Sequence, residues 1–265
     1  MKRILQLSLL TIVFLWSCAK VPVTGRRQIN LLPESQLMSM SLTEYQNFLG
    51  QNNTLPPSNG DAAMVQRVGN EIADAVERYL KRHGQGNRVD GFQWEFNLVQ
   101  DPTVNAWCMP GGKVVFYTGI LPVTKDEAGL AVVMGHEIAH AIARHGNERM
   151  SQGLVAQAGG IGLQLAIQEQ PALTQDLLLQ SYGVGSQLGV LKFSRLHESE
   201  VDRMGLIFMA MAGYNPEEAV SFWQRMSAQG GAKPPEFLST HPHDDTRIAD
   251  LKEHMPEALT HYQKK

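Results

Sequence analysis

Between Ala128 and Ile142 every residue is glycine or apolar except His136, Glu137 and His140. A run this apolar reads as a buried helix, expected from Asp126 to about Met150. Polar side chains inside such a helix are costly unless something bonds or neutralises them. Residues four apart on a helix share a face, so His136 and His140 can present two imidazoles to one point. Glu137 lies one residue round from His136. There it stands beside an open coordination position and can take a proton from an attacking water. Two neutral ring nitrogens and one carboxylate suit a single zinc ion per chain.

A zinc site of this kind needs a third protein ligand. The best source is the segment Leu196-His197-Glu198-Ser199-Glu200-Val201-Asp202-Arg203 on a later helix. Glu198 and Asp202 are four apart and share a face. One of them can bind the metal while the other orients a ligand histidine through its free N–H. Glu200 points elsewhere and reads as a solvated charge or a partner for Arg203.

Around these two helices the chain reads as α+β, mainly helical with one small sheet. Asp61 is expected to cap a helix ending near Arg82, with Val65, Val68, Ile72, Val76 and Tyr79 on one face. Phe92–Val99 alternates with period two and reads as a strand. Pro110-Gly111-Gly112 is a turn between a strand over 104–109 and a stronger one over 113–118. That stronger strand is a candidate edge for an extended substrate, or else an internal strand. Residues 152–192 are rich in Gly, Ala, Gln and Leu, with a break expected at Gly159-Gly160-Ile161-Gly162. Their glutamines interrupt the stretch too often for a membrane span, so a helical cover over a cleft is expected. Further helices are expected over 194–212, from Pro216 to about Gln229, and over 244–254. The domain so defined covers 61–254, with an extension at 19–60 and a tail at 255–265.

The first 18 residues have the form of an export signal: Met1-Lys2-Arg3, an apolar run over 4–16, then Ser17-Cys18. Leu15-Trp16-Ser17-Cys18 resembles a bacterial lipobox, in which Cys18 would be lipidated and become the new N-terminus. With Ala19 after it, the implied location is a lipid-anchored, periplasm-facing one, in the outer membrane of a Gram-negative bacterium. Cys108, the second of two cysteines, would then have no disulfide partner. It reads as a buried, inert thiol, with a catalytic cysteine as the sharper alternative. A net charge of −3 implies no strongly basic face, so no nucleic-acid partner is expected.

His-Glu-x-x-His followed some sixty residues on by Glu-x-x-x-Asp resembles the minigluzincin metallopeptidases. These include the CAAX prenyl protease, HtpX and Oma-type proteases. Asn105-Ala106-Trp107 with Pro110-Gly111-Gly112 is similar to that family's edge strand and turn. Ala212 to Pro216 is similar to its stop after the second metal helix. The resemblance is nearest to a periplasmic lipoprotein branch of the LoiP and BepA type. It implies a zincin-like fold and peptide-bond hydrolysis. Glu198 is then the third zinc ligand, Glu137 the base and Asp202 a proton donor. Unfolded or misassembled envelope proteins are the implied substrates. Leu238-Ser239-Thr240-His241-Pro242 resembles a motif of the periplasmic members. Pro242 disfavours helix at His241. A self-inhibiting zinc ligand is the role the resemblance suggests for His241. Bonding the tetrahedral intermediate, packing, or capping the loop are the others.

Overall fold

The computed structural model describes residues 18–229 and 244–264. It opens with an antiparallel hairpin, β1 (Cys18–Lys20) and β2 (Arg27–Ile29). Helices α1 (Glu34–Gln51) and α2 (Gly60–Arg82) follow. Asn59, not Asp61, caps α2: its side chain accepts from the backbone N–H groups of Asp61 and Ala62. Such a cap contributes about 1 kcal/mol. Strands β3 (Glu95–Val99), β4 (Ala106–Met109) and β5 (Lys113–Tyr117) come next, then a short helix α3 (Leu121–Thr124). The remaining helices are α4 (Glu127–Ala143), α5 (His145–Ala166), α6 (Ala172–Met211), α7 (Glu218–Ser227) and α8 (Asp244–His261). The architecture is α+β and mainly helical, as expected, with the β1–β2 hairpin added to the one sheet foreseen.

The three-stranded sheet has the order β3-β5-β4, with β3 parallel and β4 antiparallel to β5. The strand over 113–118, a candidate edge, is therefore the central one. The outer side of β3 is covered by the 53–55 loop, where Leu55 N–H donates to Leu98 and Gln100 N–H to Asn53. Among the described residues the open edge is β4. Alternation divides the strands between two cores. Phe96, Leu98, Val114 and Phe116 join the main core with α2, α4 and α6. Val99 and Val115 face the other way and pack with Tyr45 of α1 and Trp107.

The helix carrying the two histidines is shorter than expected. Asp126 caps it by accepting from Gly129 N–H at 2.9 Å. It stops at Arg144, whose φ of 59° is left-handed, and α5 starts at the next residue. In contrast, Gly159 and Gly160 do not break α5. Tyr182 of α6 lies against them, and its hydroxyl donates to the Ala156 carbonyl at 2.7 Å. A Cβ on Gly159 would come within 2.2 Å of that hydroxyl oxygen. The break falls instead at 167–171, and α6 then runs without interruption through the 194–212 segment. The α5–α6 hairpin leaves Leu154, Ile161, Leu165, Leu173, Leu177 and Val184 exposed. No described helix is long and apolar enough to cross a membrane. At the other end, α8 continues seven residues past His254, so most of the expected tail is helical.

The expected extension over 19–60 is built into the domain. Val21 is fully buried in the main core, and Tyr45 is buried beneath the sheet. Arg26, in the β1–β2 turn, reaches across to α5 and α6. Its guanidinium donates to both oxygens of Glu148, at 2.8 and 2.7 Å, and through Nε to Glu200 at 2.9 Å. Burial would raise the Glu148 carboxyl, but hydrogen bonds from Arg26 and His197 outweigh it and hold it at about 2. The fold therefore favours ionised Glu148. Its contribution is complete above the ordinary value of 4.5 and disappears as pH falls toward 2. Glu148→Gln is expected to destabilise the protein at pH 7 by about 3 kcal/mol. That is the low end for a broken buried pair, because Arg26 keeps Glu200. The difference from the wild type should shrink between pH 4.5 and 2. Denaturant unfolding of both proteins with chelator present, so that metal release adds no pH dependence, checks this. A difference that stays constant down to pH 2 contradicts it.

Candidate metal centre

Helices α4 and α6 cross closely because each places a glycine at the contact. A Cβ on Gly135 would lie 2.9 Å from the Gly205 carbonyl oxygen, and one on Gly205 would lie 3.0 Å from the His136 nitrogen. The crossing brings one face of α4 onto the acidic face of α6. His136 Nε2 comes to 3.6 Å from Glu198 Oε2, and His140 Nε2 to 3.3 Å from Glu198 Oε1. Ligand atoms of a tetrahedral zinc site, with bonds near 2.1 Å, stand about 3.4 Å apart. The three side chains have that spacing, and two imidazoles with one carboxylate are the donors of an open zinc site. These residues fit the ion.

Asp202 sits behind His136 and away from that point. Its Oδ1 accepts from His136 Nδ1 at 2.9 Å and from Arg247 Nη2 at 2.7 Å. Arg247 Nη2 also stands 3.1 Å from His136 Nδ1, but its shorter bond is to Asp202. With Asp202 the ionised acceptor, His136 donates from Nδ1 and Nε2 is left for a ligand. Burial alone would raise Asp202, but Arg247 and His136 outweigh it and keep the carboxyl below its usual range. Arg247 also approaches Glu198, at 3.4 Å, and its guanidinium lies 3.3 Å from the Trp223 ring centre. Helices α7 and α8 thus wall one side of the centre. Glu137 is half-buried on α4, near β4. On β4 the Cys108 thiol is pushed well up by burial and by the Glu137 carboxylate, so it stays protonated. That agrees with an inert thiol, though the residue is half-buried rather than fully buried.

The structure brings His136, His140, Glu198 and Asp202 together. His241 lies outside the described residues. Cys18 opens β1, remote in sequence from the centre. Glu200 departs from expectation: it is buried, not solvated, and its partner is not Arg203, which pairs with Glu257. Glu200 bonds Thr24, Arg26 and His145. Burial would raise its carboxyl, and these bonds hold it at about 2.

A second buried cluster, His145, Glu148 and His197, was not foreseen. His145 and His197 stack with centroids 3.9 Å apart, and His197 Nε2 is 2.9 Å from Glu148. Arg26 spans both Glu148 oxygens, so a cation entering here would meet one already bound. The signal available was His145, five residues after His140, with Glu148 one turn further on. Arg247 and Trp223 gave no such signal.

Because the crossing sets the ligand spacing, Gly135→Ala should disturb both stability and metal binding. The added methyl meets backbone rather than a side chain that can move aside. An overpacking penalty of about 1–3 kcal/mol is expected, together with weaker zinc binding. Urea unfolding and zinc titration of the variant check this, and wild-type values in both contradict it.

Residues 61–255 match Peptidase family M48. The chain is 33% identical over 243 residues to mitochondrial metalloendopeptidase OMA1 of Schizosaccharomyces pombe, covering 90% of this chain and 66% of that protein. It is 30% identical over 261 residues to the human mitochondrial metalloendopeptidase OMA1, covering 95% of this chain and 48% of the relative. It is 28% identical over 165 residues to the β-barrel assembly-enhancing protease of Escherichia coli, covering 60% and 34%. The chain thus spans no more than 66% of any of these three relatives. These matches overturn the lipid-anchored, periplasmic location expected from the leader. The relatives matched over 90% and 95% of the chain are mitochondrial proteins, and the bacterial one matches a shorter stretch. A family match over 61–255 takes in every residue of the centre, and the chain belongs to Peptidase family M48.

Proposed function

We propose that the chain is a zinc-dependent endopeptidase that cleaves unfolded or misassembled proteins. The observation that carries this reading is the convergence of His136 Nε2, His140 Nε2 and Glu198, with Glu137 next to His136 on α4. His136, His140 and Glu198 would hold one zinc ion. When bound, zinc would supply Lewis-acid polarisation of the scissile carbonyl and make water acidic enough to attack at neutral pH.

The residues of the chain do the rest. Glu137 takes the proton of the attacking water and delivers it to the leaving amine. Asp202 holds the His136 ring with Nε2 forward, and Arg247 holds Asp202 ionised. Strand β4, whose outer edge is open among the described residues, packs on α4, and its Cys108 thiol feels the Glu137 carboxylate. An extended segment adding to that edge would pass beside Glu137, held by backbone hydrogen bonds that require no particular sequence. Binding of this kind selects chains that expose their backbone. Two bacterial relatives are named for enhancing β-barrel assembly, which supports incompletely folded chains as substrates.

Hydrolysis of casein, an unfolded protein, tests the reading. Glu137→Gln is expected to lower the rate by about 10²–10⁴-fold with zinc content unchanged. Glu198→Ala should lose both zinc and activity. A zinc chelator should stop the wild type, and added zinc should restore it. Casein cleavage by Glu137→Gln at the wild-type rate, or a full complement of zinc in Glu198→Ala, would refute the assignment.

A further inference from the structure

The two ligand histidines are held from behind in different ways. His136 meets a carboxylate directly. His140 meets another imidazole: its Nδ1 is 3.0 Å from His145 Nδ1. On the reading that His140 binds zinc through Nε2, its proton is on Nδ1 and must be donated to His145. His145 Nδ1 is therefore the acceptor. A neutral imidazole carries one N–H, so the His145 proton is on Nε2. That atom lies 2.9 Å from Glu200 Oε2, which can only accept. Every proton along His140–His145–Glu200 then has one position, and all of them run in one direction.

The far end is anchored as well. Glu200 accepts from the Thr24 hydroxyl and from Arg26 Nε, both in the β1–β2 turn. The His145 ring is fully buried and stacked on His197, which fixes its plane. Water cannot take the place of either partner there.

We propose that His145 and Glu200 are positioning residues for the metal ligand His140. Glu200 acts through His145 to fix the His140 tautomer and ring orientation, as Asp202 does directly for His136. The β1–β2 turn, remote in sequence from both metal helices, thereby sets the geometry of one ligand. The proposal rests on the zinc reading of the centre.

Zinc alone, in competition with a chromogenic chelator, is the probe. The wild type is expected to bind one zinc per chain and Glu198→Ala to bind far more weakly. If the wild type binds none, or Glu198→Ala binds as tightly, the centre itself is wrongly read and the relay is overturned with it. With the centre intact, Glu200→Leu and His145→Phe are expected to weaken zinc 10–100-fold, the usual effect of losing a partner that orients a ligand. Glu200→Gln should lose less, since its amide oxygen can still accept from His145. Glu148→Gln is the structural control. It removes another buried carboxylate from the same Arg26 guanidinium but makes no bond to His140 or His145, and its zinc affinity should equal that of the wild type. Equal losses in Glu148→Gln and Glu200→Leu, or no loss in Glu200→Leu, overturn the relay. Should the variants fail to fold, histidine ¹⁵N NMR of the zinc-loaded wild type decides. Protons on His140 Nδ1 and His145 Nε2 support the relay, and a proton on His145 Nδ1 overturns it.

Discussion

Where α4 crosses α6, Gly135 and Gly205 let two helix backbones touch. Side chains of any size there would hold the axes apart, and typical interaxial distances of 8–10 Å depend on the side chains at the contact. The approach matters because the ligand side chains are short. A glutamate on one helix must come within about 3.4 Å of two imidazoles on the other. The rest of the molecule supports that crossing. The sheet and α2 pack on α4 from one side, and α7 and α8 close the other.

The crossing also creates an electrostatic problem. It buries Glu198, Glu200 and Asp202, all on one helix, together with Glu148 of α5. Unpaired, four carboxylates in an apolar interior would neutralise rather than stay charged. Two arginines from remote parts of the chain resolve this. Arg247 of α8 serves Asp202 and Glu198, and Arg26 of the β1–β2 turn serves Glu148 and Glu200. Two histidines add to this: His136 donates to Asp202, and His145 lies 2.9 Å from Glu200. The β1–β2 turn, which the sequence placed outside the 61–254 domain, and the last helix, most of which it placed inside, therefore supply the countercharges of the centre.

The sequence features that survived are those with a short physical range. The apolar run around His136, Glu137 and His140 identified a buried helix and the shared face of its histidines. The four-residue spacing of Glu198 and Asp202 placed them on one face, and in the structure Glu198 lies toward the histidine Nε2 atoms and Asp202 behind His136. The alternation of Phe92–Val99 located one strand, and the Pro110-Gly111-Gly112 turn signal before the Lys113–Thr118 run located another. Boundaries were less legible. The end of α4 at Arg144 has no glycine to mark it, and the glycines at 159–160, which looked like a break, receive Tyr182 from a neighbouring helix.

Glu200 marks the line between the two kinds of information. Within its own helix it faces away from Glu198 and Asp202, and local rules could only place it in solvent. Whether that second face is wet depends on what packs there, and the packing partner is a turn 174 residues away. Strand order has the same character, since pairing depends on chain return rather than on local pattern, so β5 became central and β4, among the described residues, the open edge. The sequence by itself determined which side chains share a helix face and hence which groups could meet a metal together, because helix periodicity is local. Only the tertiary structure decided which groups stand behind those histidines and which strand lies at the centre of the sheet, because burial, pairing and countercharge come from residues far along the chain.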